Sequence, residues 1–162
     1  MKRADFYHLQ KNTLDEALPK LVSKAYETGQ SIKIKVGNEL RVDFLNTLLW
    51  TFDEESFIPH GTKKDGFAEM EPIFLSSDDE TPNNAKILFL VDGADIDIKT
   101  TSNFDRILYV FDGNNEDEVK KARKTWKAFK EAASECRYWQ QNESGKWEEG
   151  EQSLKKDCAE SK

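Results

Sequence analysis

Short apolar runs alternate with amphipathic stretches along the first fifty residues, and this alternation narrows the fold more than any other feature of the sequence. Asp5-Phe6-Tyr7-His8-Leu9 reads as a first strand. From Leu14 to Tyr26, Leu14, Leu18, Leu21, Val22 and Ala25 recur at helical spacing, and Gly29 stops that helix. Ser31 to Gly37 alternates apolar and charged residues as a strand does. Asn38, placed before Leu40, Val42, Leu45, Leu48 and Leu49, caps a second helix read as amphipathic. Three apolar runs follow at Pro72–Leu75, Ile87–Val91 and Ile107–Phe111, separated by turn-rich segments, and a long helix is predicted from Glu116 to about Arg137. Parallel neighbours need crossover connections, so this order predicts a three-layer, doubly wound α/β fold: a mostly parallel sheet with helices on both faces. The chain of 162 residues has neither a repeat nor an internal linker that calls for a second core. Residues 1–147 are taken as a single domain and 148–162 as a polar, disordered tail.

Such a fold invites a nucleotide site, which needs close-set glycines after the first strand so that backbone amides can approach phosphate. The corresponding stretch, Leu9-Gln10-Lys11-Asn12-Thr13, has no glycine, and no Gly-x-x-x-x-Gly-Lys-Ser/Thr occurs anywhere. His8 and His60, the only histidines, lack a nucleophile in a recognisable setting and read as structural or surface groups. Asp78-Asp79-Glu80 reads as a hydrated charge run, and Asp92, Asp95 and Asp97 as turn formers that could also be catalytic. Cys136 and Cys158 stand at no zinc-ligand spacing. The residues therefore predict no catalytic site, no metal and no cofactor. No apolar run approaches the ~20 residues that span a bilayer, and the start lacks a signal-peptide pattern, so a cytoplasmic protein without membrane contact is expected.

Charge is unevenly spread. Net charge is −7, from 31 acidic and 24 basic side chains, yet Val119–Lys130 holds six basic residues and no acidic one. The rest of the chain is left at −13. Val119, Ala122, Trp126, Phe129 and Ala133 form an apolar stripe at helical spacing, with Lys120, Arg123, Lys127 and Lys130 on an adjoining stripe. Two readings stand side by side. One is the solvated face of an amphipathic helix whose cations favour its C-terminal half. The other is an anion-binding groove in which Arg123 and Lys127 hold carboxylates while Trp126 and a nearby pocket take an apolar side chain. Single-stranded nucleic acid stacking on Trp126 is a rival ligand for that groove, though the acidic remainder opposes it. A second cluster, Leu48-Leu49-Trp50-Thr51-Phe52 followed by Ser56-Phe57-Ile58-Pro59-His60, either caps the core or offers aromatic anchors to a partner.

The succession Asp5-Phe6-Tyr7, Leu45-Asn46-Thr47-Leu48-Leu49-Trp50-Thr51-Phe52, Ser56-Phe57-Ile58-Pro59-His60 and Arg123-Lys124-Thr125-Trp126-Lys127-Ala128-Phe129-Lys130, ending near Trp147, resembles the chi subunits of bacterial DNA polymerase III. The resemblance covers about residues 4 to 147. It implies a noncatalytic replication adaptor that binds the acidic C-terminal peptide of single-stranded-DNA-binding protein, ending Asp-Asp-x-Pro-Phe, and on another face the psi subunit of the clamp-loader complex. DNA would be met only indirectly. Carried over by position, the peptide-binding residues are Arg123, Lys127 and Lys130 with the aromatic Trp126, where relatives often have tyrosine, and Lys120 as a further basic position. The psi-contact residues are Trp50, Phe57, Ile58 and Pro59.

Overall fold

The computed structural model describes residues 2–51, 59–133 and 135–150. Seven strands form one sheet: β1 (Arg3–Leu9), β2 (Ile32–Val36), β3 (Ile73–Ser76), β4 (Ile87–Val91), β5 (Arg106–Asp112), β6 (Glu135–Gln141) and β7 (Trp147–Glu149). Their order is β3-β2-β4-β5-β1-β6-β7, parallel throughout except for β7, which turns back antiparallel on β6. Among the described residues three α-helices cover the sheet: α1 (Leu14–Tyr26), α2 (Glu39–Thr51) and α3 (Glu116–Ala132). The three-layer α/β architecture is the one the alternation predicts.

Side chains alternate across the strands, and the two faces build separate halves of the core. Tyr7, Leu9, Ile34, Phe89 and Val110 pack beneath α1 and α2 with Leu18, Val22, Leu45 and Leu49. Phe6, Leu88, Ile107, Tyr109 and Phe111 pack beneath α3 with Ala122, Trp126 and Phe129. Every residue of β4, Ile-Leu-Phe-Leu-Val, is buried, as a central parallel strand covered on both sides requires. Helix α1 opens on a capping box: Glu16 N–H donates to Thr13 Oγ1 at 3.3 Å, and the Glu16 carboxylate accepts from Thr13 N–H at 3.3 Å.

From β1 the chain crosses leftward in the strand order to β2 through α1; from the adjacent β5 it crosses rightward to β6 through α3 on the opposite face. The carboxyl ends of β1 and β5 are therefore a topological switch point, the usual ligand position in such sheets.

Two boundaries differ from the sequence reading. Helix α3 ends at Ala132 rather than near Arg137, because Ala133 turns to extended backbone (φ −92°, ψ 147°) and a period of two takes over. In β6, Cys136 and Tyr138 then face α3, while Trp139 joins the other half of the core. The domain also runs past Trp147, since β7 includes Glu148 and Glu149 and Gly150 N–H bonds to the Tyr138 carbonyl at 2.9 Å. Residues 151–162, with Cys158, lie outside the described residues.

Candidate interaction surface on helix α3

Asn115 fixes where α3 begins. Its side-chain oxygen accepts from the N–H groups of Asp117 and Glu118 at 3.0 and 3.2 Å, and Glu116, Asp117 and Glu118 set acid charge against the positive helix end. Beyond that first turn the charge reverses. Ala122, Trp126 and Phe129 are buried on the sheet, while Lys120, Arg123, Lys127 and Lys130 are all exposed. At 1.5 Å per residue they span about 15 Å along one side of the helix. Among the described residues Lys120, Lys124 and Lys127 make no ion pair, whereas the cations elsewhere include several locked to carboxylates: Arg41 to Asp15 and Asp92, Lys35 to Asp79, Lys64 to Asp43.

Trp126 is not a docking surface. Its ring, expected on the peptide-binding face, is 1% exposed. It stands edge-on to Phe6 with centroids 5.1 Å apart and edge-on to Tyr138 at 6.2 Å. The residue belongs to both patterns noted in the sequence, and the apolar stripe prevails because burying an indole outweighs offering it to a ligand. What Trp126 does for the surface is indirect: the Lys130 ammonium sits 5.9 Å from its ring centroid, so the indole helps place one cation of the stripe.

The second predicted face is only partly described. Trp50 is 45% exposed and stacks its ring 4.1 Å from that of His60; Pro59 is half-buried; Phe57 and Ile58 lie outside the described residues. His60 Nε2 hydrogen-bonds the Asn46 carbonyl at 2.8 Å, which ties the segment after α2 back onto the helix. One feature of α2 escaped the sequence reading. Leu40, counted there on the core stripe, is 84% exposed, and Phe44 is 48% exposed, so α2 is apolar on its outer side as well as on its inner side. The signal was present: apolar residues at 40, 42, 44, 45, 48 and 49 are too many for one stripe.

The switch-point crevice, about 290 Å³, is lined by the loop after β1 with Arg41, Asp92, Asp112 and Glu118. The loop amides that a phosphate would approach are already engaged: Gln10, Lys11 and Asn12 N–H all donate to Gln141 Oε1, at 3.2, 3.0 and 3.1 Å. Four carboxylates, Asp15, Asp92, Asp112 and Glu118, line the crevice against the cations Lys11 and Arg41, and Arg41 is paired to Asp15 and Asp92. Burial, then the neighbouring Asp112 and Asp92, push the Glu118 carboxyl up to about 7. An anionic cofactor has no cradle here.

The remaining candidates are structural groups. His8 Nδ1 bonds the Tyr138 hydroxyl, and burial lowers the pKa of its imidazole. Asp78, Asp79 and Glu80 pair with Lys33, Lys35 and Lys63. Asp97 caps the 3-10 helix Ile98–Asn103, accepting from Lys99 N–H at 3.0 Å. Asp92 turns the chain with φ 53° and holds Arg41 at 3.0 Å. Burial pushes the Cys136 thiol up to about 11, far from a reactive thiolate. No helix among the described residues is long and apolar enough to cross a membrane.

Comparison with known proteins identifies the family. The family described as DNA polymerase III chi subunit, HolC, matches residues 1–137. The chain belongs to that family. A relative from Rickettsia prowazekii (strain Madrid E), named "Probable DNA polymerase III subunit chi", is 30% identical over 96 residues. That alignment covers 59% of this chain and 58% of the relative. The family's description is that of a subunit of DNA polymerase III, and the aligned part spans less than two thirds of the relative's length. The match ends at residue 137, so it contains α3 and the Trp50 segment but not β7.

Proposed function

We propose that the chain is a replication adaptor: α3 binds the acidic C-terminal tail of single-stranded-DNA-binding protein, and the Trp50 face binds psi or a subunit that replaces it in the clamp-loader complex. The exposed row Lys120, Arg123, Lys127 and Lys130 on an otherwise anionic molecule carries this reading. Arg123 offers a planar fork suited to a carboxylate, and each charge-assisted bond contributes about 1.5–3 kcal/mol. With Trp126 buried, apolar contact for the terminal phenylalanine falls to the aliphatic stems of Lys127 and Lys130. Binding by so few groups is weak, which suits an adaptor that releases and rebinds. Many tails along one coated DNA tract raise the effective concentration.

The same burial of Trp126 counts against direct binding of single-stranded nucleic acid, because among the described residues of α3 no aromatic ring is exposed for a base to stack on. Calorimetric titration separates the two ligands. An Asp-Asp-x-Pro-Phe peptide is expected to bind, Arg123→Ala and Lys127→Ala each to weaken it about tenfold or more, and an oligothymidylate to bind far more weakly. Unchanged peptide affinity in both variants would remove α3 from the site. On the other face, Trp50→Ala with Phe57→Ala should abolish co-purification with psi or its replacement while leaving peptide affinity intact.

A further inference from the structure

Helix α2 has apolar side chains on both sides, and exposed apolar side chains clustered on one face mark a surface that a partner can cover. Val42, Leu45 and Leu49 meet the sheet; Leu40 and Phe44, one turn apart, point outward with Trp50 further along. Leu40 and Phe44 stand about 6 Å apart along the axis, and Trp50 lies about a third of a turn around the helix from Phe44. Further apolar surface is exposed in the segment before β3, which the Lys64–Asp43 pair ties to α2. Phe67 and Met70 are exposed there and, with Pro82, line a groove of about 500 Å³.

The surroundings of this face specify the charge of what would cover it. Residues 39–80 carry 11 acidic and 3 basic side chains, a net −8 that exceeds the −7 of the whole chain. Contacts among the described residues bring several of these charges close to α2. Glu39 accepts from the Ser77 hydroxyl, which sets the Asp78-Asp79-Glu80 loop beside the first turn. Lys64 reaches Asp43 at 2.7 Å, and Lys63 pairs with Asp78 and, at 3.2 Å, with Glu80. All three basic residues of this region are held by carboxylates, Arg41 by Asp15 and Asp92, and Lys33 and Lys35 neutralise only part of what remains, at Asp78 and Asp79, so the region keeps an acidic excess.

We propose that the outer face of α2 docks a cationic amphipathic helix, its apolar side chains against Leu40, Phe44 and the Phe67–Met70 groove and its lysines or arginines against the acidic rim. Two apolar side chains one turn apart match a helix packed across them, with anchors at i, i+3, i+4 and i+7. The proposal rests on the second-face reading given above, to which it adds the partner's chemistry and the residues Leu40 and Phe44.

The probe is an 18-residue Leu/Lys peptide with leucines at that spacing, set against the same peptide with glutamate at every lysine, titrated into the full chain at physiological salt. The lysine peptide is expected to bind at least tenfold more tightly than the glutamate peptide. Leu40→Gln with Phe44→Gln should weaken it at least tenfold; Arg123→Ala should leave it unchanged. Equal binding of the two peptides, or wild-type binding by the double variant, overturns the proposal. So does a concentration-dependent dimer in sedimentation that the double variant abolishes, since the occupant would then be a second copy. Co-purification separates this inference from the reading beneath it. If Trp50→Ala with Phe57→Ala loses the clamp-loader partner while the Leu40 and Phe44 variant keeps it, the second face stands and the cationic helix does not. If neither variant loses it, the second face itself fails and the peptide titration alone decides the inference.

Discussion

Helices α2 and α3 lie on opposite faces of one sheet and solve the same packing problem with opposite surfaces. Each buries three side chains against the strands: Val42, Leu45 and Leu49 in α2, Ala122, Trp126 and Phe129 in α3. Outward, α3 presents Lys120, Arg123, Lys127 and Lys130, whereas α2 presents Leu40 and Phe44 amid an acidic surround. Burial therefore fixes both helices, while the outer faces are free to differ, and in their difference the molecule becomes bipolar. Exposed charges farther apart than the ~8 Å Debye length at physiological salt are largely screened from one another, so partners bound on the two faces would not compete electrostatically.

The largest expected effect tests whether Trp126 belongs to the core or to the ligand. Trp126→Ala removes a fully buried indole between Phe6 and Tyr138 and should cost about 3–5 kcal/mol in denaturant unfolding. Trp126→Phe, which keeps a ring there, should lose much less and retain most of the peptide affinity. Loss of binding in Trp126→Phe without loss of stability would move the indole from the core to the site.

How much of this was legible beforehand follows from the same contrast. Buried elements announce themselves: α1 and β4 begin and end where the sequence pattern places them, since a strand buried on both faces must read Ile-Leu-Phe-Leu-Val and a helix over the sheet must repeat at three and four. Strand β6 was missed because Cys136-Arg137-Tyr138-Trp139 continues the polarity of the helix before it, and only Ala133 marks the change. The cationic stripe was visible as charge, but composition could not say whether Trp126 faced in or out, since an aromatic fits either the apolar stripe or a ligand groove. Leu40 was assigned to the core for the same reason: an apolar residue at helical spacing is read as buried, and outward apolar residues have no separate signature. The Gln141 side chain that fills the amide nest after β1 comes from about 130 residues away and is a purely tertiary fact.

Charge reversal on α3 is the next effect in size. Arg123→Glu with Lys127→Glu should lower affinity for the acidic peptide a hundredfold or more, because repulsion replaces attraction, and titration calorimetry reads it directly. Stability should change little, as both side chains are exposed. A comparable loss from Leu40→Gln would show that the two faces are coupled rather than independent.

The first turn of α3 allows a finer measurement. Burial, with Asp112 and Asp92 nearby, raises the Glu118 carboxyl from its ordinary 4.5 to about 7, so the folded chain holds a proton that the unfolded chain has released. The sign follows from that excess: this group's cost is absent below pH 4.5, grows as pH rises towards 7 and is complete above it. Glu118→Gln should therefore gain about 1–2 kcal/mol at pH 8, less than the full shift implies because the side chain is partly solvated, and should flatten the stability profile between pH 4.5 and 7. Thermal unfolding across that range checks it. An unchanged profile would place the carboxylate in water, clear of the crevice.

The smallest effect is the sharpest test of the contrast. Leu40→Gln and Phe44→Gln should each change unfolding free energy by no more than about 0.5 kcal/mol, since both side chains stand in water and their removal opens no cavity. Phe44 loses its contact with the Arg41 guanidinium, 4.7 Å from the ring centroid, while Arg41 keeps its two carboxylate partners. Leu45→Ala, one residue further along and buried, should cost about 2–5 kcal/mol. Adjacent residues on one helix would then differ severalfold in their contribution to folding, and the near-neutral pair would be the one available to a partner. A loss above 1 kcal/mol in Leu40→Gln would mean that the chain itself covers that face, and α2 would have no surface left to offer.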